Sequence, residues 1–251
     1  MLDDFAFKCV KDAIEAPNVK LVGFHCHIGS QIFALHSFRE AAQVMIEFIA
    51  RVQKEYGVEI PELDLGGGLG VAYLATDKPS SIDDFAECTT RAVKDFCAEY
   101  GVAEPRILVE PGRSLVANAG VTLYTVGILK TLPGIRKYVA IDGGMSDNIR
   151  TALYRADYEP VIANKAGEPR TEIVTLCGKH CESGDAVVID MPIQHPEIGD
   201  IACVFTTGAY CSTMSSNYNG QPKPAVVFVK DGVARVVTRR ETYADLYARD
   251  I

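Results

Sequence analysis

The sequence lacks any excess of positive charge. With 25 basic and 33 acidic residues, its formal net charge is −8. Nucleic-acid-binding proteins carry clustered Lys and Arg, so this balance argues against nucleic acid as a partner. The sequence also lacks an apolar run near the ~20 residues of a membrane span. Its start, Met1-Leu2-Asp3-Asp4, is acidic where a secretory signal is basic. We therefore expect no membrane partner and a cytoplasmic location.

A C-x-x-C pair is missing although the chain has eight cysteines. Hydrophobic residues make up 48% of the chain, which is typical of a protein with a large core and not of a small disulfide scaffold. We expect free, buried thiols in a reducing cytosol. Cys177, His180 and Cys181 could supply three zinc ligands, but no second ligand pair with zinc-finger spacing accompanies them. No metal is expected.

The first half of the chain alternates helical patterns with short apolar runs. Ser37 with Glu40 and Ser81 with Asp84 have the spacing of helix capping boxes, and Gly57 and Gly101 fit helix ends. The resulting order is that of parallel βα units, in which functional residues follow the carboxyl ends of the strands. The predicted helices cover 3–15, 37–57 and 81–101, and the predicted strands cover 20–28, 62–65 and 106–109.

The predicted secondary structure changes near residue 118. Long helical patterns give way to β-rich runs that are broken by Gly, Pro and Asp, and Thr242 with Asp245 could cap a last short helix. We predict an α/β domain over 1–118 and a mainly antiparallel β domain over 119–251. The predicted strands of the second domain cover 121–129, 137–141, 171–176, 186–190, 202–206, 225–230 and 232–238.

Two clusters lie at the ends of the first two predicted strands. The glycines at 66–68 would let backbone amides approach a phosphate closely, although a tight turn explains them about as well. His25 and His27 share one side of an extended strand and could bind a metal as a pair. A histidine near a core is more often a hydrogen-bonded polar group, so both interpretations stay open.

Two further clusters carry charge or a thiol. Glu110-Pro111-Gly112-Arg113 ends the third predicted strand, and Arg suits bidentate binding of phosphate or carboxylate. The alternative is a turn with an exposed ion pair. Cys181 lies beside Glu182 in a predicted turn, where a buried inert cysteine is the usual alternative.

Taken in order, these segments resemble one family. They read HIGSQ at 27–31, LDLGGGLG at 63–70, EPGRSLVANAG at 110–120, DGGMSDNIRTALY at 142–154, CESGD at 181–185, GAY at 208–210 and YNG at 218–220. This pattern resembles the fold-type III pyridoxal-phosphate-dependent decarboxylases. The resemblance implies the C-terminal part of a (β/α)8 TIM-like barrel followed by a β domain, with pyridoxal 5'-phosphate as cofactor.

The resemblance also implies roles for single residues. His27 would stack on the cofactor ring, Glu110 would pair with its pyridine nitrogen, and Cys181 would return a proton to the carbon that loses CO2. In the family, the segment that matches Cys181 and Glu182 reaches across a dimer interface, so a homodimer is implied. Cofactor contacts are implied for His27, Ser30, Gly66, Gly67, Gly68, Glu110, Pro111, Gly112, Arg113 and Tyr210. Substrate contacts are implied for Arg113, Arg150, Tyr154, Glu182 and Tyr210.

The substrate implied is meso-2,6-diaminopimelate, decarboxylated to L-lysine. Arg150, Tyr154 and the Cys-Glu-Ser sequence resemble the diaminopimelate branch, since ornithine and arginine enzymes usually carry Asp after the cysteine. Thr151 stands where the branch usually has Pro, which we expect to loosen the local turn. The alternatives are decarboxylation of ornithine, arginine or carboxynorspermidine, or a racemase that would not need the Cys-Glu pair.

The family lysine that holds the cofactor covalently has no counterpart in the sequence. Asn164-Lys165-Ala166 has similar letters but lies in the predicted β domain. We expect a truncated piece of an ordinary enzyme, because the other implied site positions are intact. On that basis the chain alone should be inactive. The alternative is a lysine-less homologue that acts as a binding or regulatory subunit.

Overall fold

The chain folds into two compact units. The computed structural model describes residues 2–251, with side chains from residue 5 onward. The first unit comprises Met1–Val71 and Lys78–Leu115, and the second comprises Ala72–Asp77 and Val116–Ile251. The short segment Ala72–Asp77 therefore leaves the first unit and packs with the part of the chain that begins at Val116. Nothing in the local sequence indicates this exchange.

The first unit is built on three short parallel strands. They are β1 (Gly23–His25), β2 (Glu62–Asp64) and β3 (Arg106–Leu108), in the order β1-β2-β3, with Leu63 opposite both Phe24 and Ile107. Parallel neighbours need crossover connections, which the helices supply. The helices are α1 (Leu2–Glu15), α2 (Leu35–Tyr56), α3 (Ile82–Tyr100) and the short α4 (Gly112–Val116). The strand predicted over 20–28 is thus only three residues long.

The helices bury one apolar face each. On α2 the buried positions recur every three or four residues, as the helical period requires; they are Phe38, Ala42, Ile46, Ile49 and Val52. Four of them, from Ala42 to Val52, pack with Leu63 of β2 and with Phe96 of α3 in one core cluster, whereas Phe38 packs in a second cluster with Leu69 and Phe85. Packing of the sheet against its helices fixes where the strand ends lie, and with them the loops that carry the candidate site.

One of the two capping predictions for this unit is confirmed and the other is wrong. Ser81 accepts a hydrogen bond from the Asp84 amide, and the Asp84 carboxylate accepts one from the Ser81 amide. Ser37, in contrast, lies inside α2, which begins two residues earlier with Ala34 as its uncapped N-cap. The apolar face of α2 extends the helix past the capping pattern, so packing overrides the local signal. Gly57 and Gly101 end their helices in the left-handed conformation, as predicted.

The second unit is built on a six-stranded mixed sheet. Its strand order is β6-β9-β4-β5-β7-β8, and neighbours are antiparallel except for the parallel pair β5 and β7. The strands are β4 (Thr122–Leu132), β5 (Arg136–Ile141), β6 (Pro160–Ile162), β7 (Glu172–Cys177), β8 (Ala186–Ile193) and β9 (Ile201–Val204). A separate antiparallel hairpin pairs β10 (Val226–Lys230) with β11 (Val233–Thr238).

The predicted β runs of this unit correspond to observed strands within a few residues, but β6 was not predicted. Its three residues, Pro160–Ile162, are fully buried and too short for an alternating pattern. Short helices α5 (Arg150–Tyr154), α6 (Cys211–Met214) and α7 (Tyr243–Leu246) follow strands or turns. The predicted Thr242 and Asp245 capping box of α7 is confirmed.

The length and hydropathy of the helices decide whether any of them could cross a membrane. Among residues 2–251, no helix combines the length and the apolar character that crossing a bilayer requires.

Candidate active site

The glycine run after β2 lies between the two neighbouring strand ends. A Cβ atom on Gly66, Gly67 or Gly68 would lie 2.4, 2.2 and 2.3 Å from the carbonyl oxygens of Cys26, Glu110 and Gly29 respectively. Gly66 and Gly68 also have φ of 67° and 105°, which side chains rarely adopt. The run therefore has to be glycine, because it brings three strand-end loops of the first unit into backbone contact.

Two amides of this run are already engaged within the chain. The Gly66 amide donates to the Asp64 carboxylate over 2.8 Å, and the Gly67 amide donates to Nδ1 of His27 over 3.3 Å. Nδ1 of His27 is consequently an acceptor, and the ring proton of the neutral imidazole is on Nε2. The glycine run thus orients the His27 ring, in addition to bringing the backbone close.

His25 lies beside two carboxylates. Its Nε2 atom is 3.6 Å from Oε2 of Glu110, and the ligand atoms of His25, Asp64 and Glu110 all lie within 4.8 Å of one another. Within residues 2–251 this is the only group of three or more potential metal ligands so placed, and it does not include His27. The two rings have different partners, since Nδ1 of His27 accepts from the Gly67 amide, and the suggested His25 and His27 metal pair stays a prediction.

Arg113 follows the third strand and enters the short helix α4. Its side chain is buried, and its Nη2 donates to Oγ of Ser30 over 2.8 Å. These residues are 83 positions apart, so the fold of the first unit joins the loop after β1 to the loop after β3. His27, Ser30, Gly66, Gly67, Gly68, Glu110, Pro111, Gly112 and Arg113 thus all lie at the carboxyl ends of the parallel strands.

The second unit holds a buried guanidinium in an aromatic cage. Arg150 is 7% exposed, and its Nη1 donates to the hydroxyls of Tyr73 over 2.9 Å and Tyr158 over 2.8 Å. The rings of Tyr73, Tyr154, Tyr158 and Tyr210 lie 5.3–5.9 Å from its central carbon. Cation–π contact favours a positive charge at this place.

The charge on Arg150 is maintained without an acidic partner. Among the described residues, no carboxylate lies within 4.0 Å of the Arg150 guanidinium. Burial acts against its charge, but interactions with Tyr158 and Tyr73 outweigh burial and raise the pKa of Arg150. Burial also raises the pKa of Tyr158, so the phenol of Tyr158 stays neutral. A buried cation with only neutral neighbours is arranged to receive an anion.

The predicted site residues Arg150, Tyr154 and Tyr210 therefore lie together, while Tyr73 and Tyr158 were missed. Tyr73 precedes Arg150 by 77 positions, and the link depends on the transfer of Ala72–Asp77 to the second unit. Tyr210 adopts a φ of 67°, a conformation that is costly outside glycine and concentrated at functional sites. Thr151 does not loosen its turn, because its hydroxyl lies within 3.0 Å of the carbonyl oxygens of Ala156 and Val187.

Cys181 and Glu182 lie on an exposed turn between β7 and β8. The Asp185 carboxylate organises this turn by accepting from the amides of His180 and Met145, each over 2.7 Å. Cys181 and Glu182 remain exposed at its tip. Cys177 does not join them in a metal site, and burial raises the pKa of its thiol. His180 instead pairs with Asp185.

Lys165 is not available as a reactive amine. Its Nζ atom donates to Glu197 over 2.6 Å, to Asp200 over 2.8 Å and to the His195 carbonyl over 3.2 Å. Hydrogen bonds to Asp200 and Glu197 raise the pKa of Lys165, which keeps the amine protonated. Residues 164–166 therefore resemble the family lysine motif in sequence only, and Lys165 does not replace the family lysine.

Comparison with known proteins shows which proteins this chain resembles. Residues 3–117 match the family model described as pyridoxal-dependent decarboxylase, pyridoxal binding domain. Diaminopimelate decarboxylase of Bacillus subtilis is 45% identical over 97% of this chain and 56% of its own length, and that of Staphylococcus aureus is 43% identical over 98% and 57%. This chain spans about half the length of the curated relatives it matches.

Solved structures show the same resemblance. Diaminopimelate decarboxylase from M. jannaschii in complex with L-lysine aligns with a TM-score of 0.90 and 36% identity over 98% of this chain and 55% of that one. The enzyme from Helicobacter pylori complexed with L-lysine aligns with a TM-score of 0.85 and 29% identity over 98% and 58%.

Proposed function

We propose that the protein belongs to the pyridoxal-dependent decarboxylases, whose pyridoxal binding domain matches residues 3–117, and that it decarboxylates meso-2,6-diaminopimelate to L-lysine. The activity is assigned to the whole protein. These 251 residues span about half the length of the relative from Bacillus subtilis. The proposal includes pyridoxal 5'-phosphate as cofactor, a cytoplasmic location and a homodimer. It also treats β1–β3 as strands of an eight-stranded barrel.

The residues of the first unit fit this cofactor. A phosphate monoester requires cationic and hydroxyl donors at a place of close backbone approach, and buried Arg113, Ser30 and the glycines 66–68 supply these. A pyridine nitrogen requires an acidic partner, and Glu110 presents an exposed carboxylate at the same strand ends. When bound, the cofactor supplies an electron sink that lowers the barrier to losing CO2.

The remaining roles belong to the chain's own residues. Glu110 would hold a proton at the ring nitrogen, and His27, oriented by the Gly67 amide, would pack on the ring face. Cys181 would donate its thiol proton to the substrate carbon from which CO2 departs, and Glu182 would accept the distal ammonium. Exposure of the Cys181 turn suits a contribution to a second protomer's site, which is the basis of the proposed dimer.

The single observation that carries the substrate assignment is the buried Arg150. Diaminopimelate has a second carboxylate at its far end, whereas ornithine and lysine have only an ammonium there. Burial of a guanidinium without a carboxylate is costly, and a substrate carboxylate would compensate that cost while an ammonium would increase it. Arg150 thereby selects for the longer diacid and against simple diamino acids.

The test is an assay of protein expressed from the full coding region, read upstream from the Met1 codon. We expect CO2 release and L-lysine formation from meso-2,6-diaminopimelate in the presence of pyridoxal 5'-phosphate. The 251-residue chain alone, as the control, should release no CO2. Turnover by the chain alone, or a full protein that releases CO2 only from ornithine, would contradict the proposal.

A further inference from the structure

The Glu182 carboxylate has one polar partner within the second unit. The hydroxyl of Tyr218 donates to Oε2 of Glu182 over 3.3 Å, although both side chains lie at the surface. Tyr218 belongs to the YNG segment at 218–220, for which the family resemblance implies no role. A phenol is neutral, so it can orient a carboxylate without cancelling its charge, as an Arg or Lys would.

The Tyr218 ring is itself held in place. It lies parallel to the His180 ring within 10°, with the ring centroids 6.0 Å apart. Such an offset arrangement is a favourable geometry for two flat rings. His180 thus supplies a flat surface beneath a tyrosine that is otherwise 45% exposed.

The His180 ring is in turn held by the buried carboxylate of Asp185. Its Nδ1 lies 2.9 Å from Oδ2 of Asp185, and these side chains are 0% and 2% exposed. The packing around the pair leaves no space, since a Cβ on Gly144 would lie 2.5 Å from Asp185 and one on Gly178 would lie 2.3 Å from it. An ionised Asp185 accepts, so Nδ1 of His180 carries the proton and the ring plane is set by this bond.

From this arrangement we propose that Tyr218 is a positioning residue for Glu182, and that His180, anchored by Asp185, holds the Tyr218 ring for that purpose. The inference rests on the proposed function, in which Glu182 receives the distal ammonium of the substrate. An exposed glutamate samples several rotamers, and fixing them beforehand lowers the ordering cost of binding. One lone-pair site of the carboxylate is used by Tyr218, and the others remain for the ammonium.

The first measurement is the titration of Tyr218, followed by NMR of ¹³C-labelled tyrosine and assigned with Tyr218→Phe. The hydrogen bond to Glu182 raises the pKa of Tyr218. We expect this pKa to fall toward the ordinary value in Glu182→Gln. We expect the same fall in His180→Asn, because asparagine can still donate to Asp185 but offers no ring to Tyr218. Tyr247→Phe, at an exposed tyrosine of the last turn, is the matched control and should leave the Tyr218 titration unchanged.

The second measurement uses the full-length enzyme with meso-2,6-diaminopimelate. We expect Tyr218→Phe and His180→Asn to raise KM about 2- to 10-fold with kcat nearly unchanged, since the cost of ordering one side chain is restored to the binding step. Tyr247→Phe should change neither constant.

The outcomes separate this inference from the proposed function. A Tyr218 pKa that does not change in His180→Asn, or an unchanged KM in Tyr218→Phe, overturns the positioning role. A fall of the Tyr218 pKa together with a raised KM supports it. A full-length protein without decarboxylase activity refutes the proposed function, while the titration still tests whether His180 holds Tyr218 against Glu182.

Discussion

Replacing Arg150 with methionine removes the cation at the centre of the tyrosine cage but keeps an unbranched side chain of similar length. In the wild type this guanidinium is 7% exposed and already donates to Tyr73 and Tyr158. The remaining N–H donors of the Arg150 guanidinium would bind the far carboxylate of the substrate. Truncating one partner of a buried charged pair costs about 2–5 kcal/mol. The expected loss in kcat/KM for meso-2,6-diaminopimelate is therefore about 30- to 5,000-fold.

The effect on folding should be smaller, because two terms oppose each other. Methionine leaves the hydroxyl of buried Tyr158 without its cationic partner, at a cost of about 1–3 kcal/mol. It also removes a buried charge that has no carboxylate nearby, which is favourable. Arg150→Lys keeps the charge but loses the planar fork that binds a carboxylate through two hydrogen bonds. It should therefore lose most of the same activity.

The assay compares steady-state decarboxylation of meso-2,6-diaminopimelate with competitive inhibition by L-ornithine, which has only an ammonium at its far end. We expect the inhibition constant of L-ornithine to change far less than KM for the substrate. Thermal unfolding of each variant checks that it folds. An Arg150→Met enzyme that is folded and binds both compounds equally more weakly would refute the reasoning, since the loss would not depend on the second carboxylate.

Three further predictions concern local structure. Gly66→Ala should lower the unfolding temperature far more than Gly57→Ala, although φ is 67° and 66° at the two sites, because only the Gly66 Cβ would meet a backbone oxygen, at 2.4 Å; similar losses would contradict the packing argument. Ser81→Ala should cost about 1 kcal/mol in urea unfolding and Ser37→Ala much less, since only Ser81 caps its helix; equal losses would contradict it. Burial raises the pKa of Asp147 in the folded protein. The protonated Asp147 carboxyl therefore contributes to stability below the ordinary aspartate pKa, and this contribution is lost as the pH rises through the raised pKa. Asp147→Asn should therefore stabilise the protein at about pH 7 and give a smaller gain below about pH 3.9; a pH-independent difference would refute this.

The sequence predicts the elements that depend on local chemistry. Ser81 and Thr242 are helix caps and Gly57 is a helix end, because a side-chain acceptor or a left-handed residue acts within one turn of the helix. The apolar runs of the second half likewise predict its strands, because alternation is a property of neighbouring residues. Ser37 shows the limit of such signals, since tertiary burial of α2 decides where that helix begins.

The features that were missed depend on contacts between distant residues. The cage around Arg150 requires Tyr73, which joins the second unit only because Ala72–Asp77 leaves the first. Pairing of Gly67 with His27 and of Arg113 with Ser30 spans 40 and 83 positions. The motifs indicate these residue types in order along the chain, but their pairing follows from loop closure in the folded unit, for which a single sequence has no local signal.

The most direct test of the central claim is a comparison of substrates with the full-length protein. The measurement is kcat/KM for CO2 release from meso-2,6-diaminopimelate and from L-ornithine under identical conditions with pyridoxal 5'-phosphate. A buried Arg150 without a carboxylate predicts a preference for diaminopimelate of at least about 100-fold, the equivalent of one uncompensated buried charge contact. Equal use of the two substrates, or a preference for ornithine, would contradict the account.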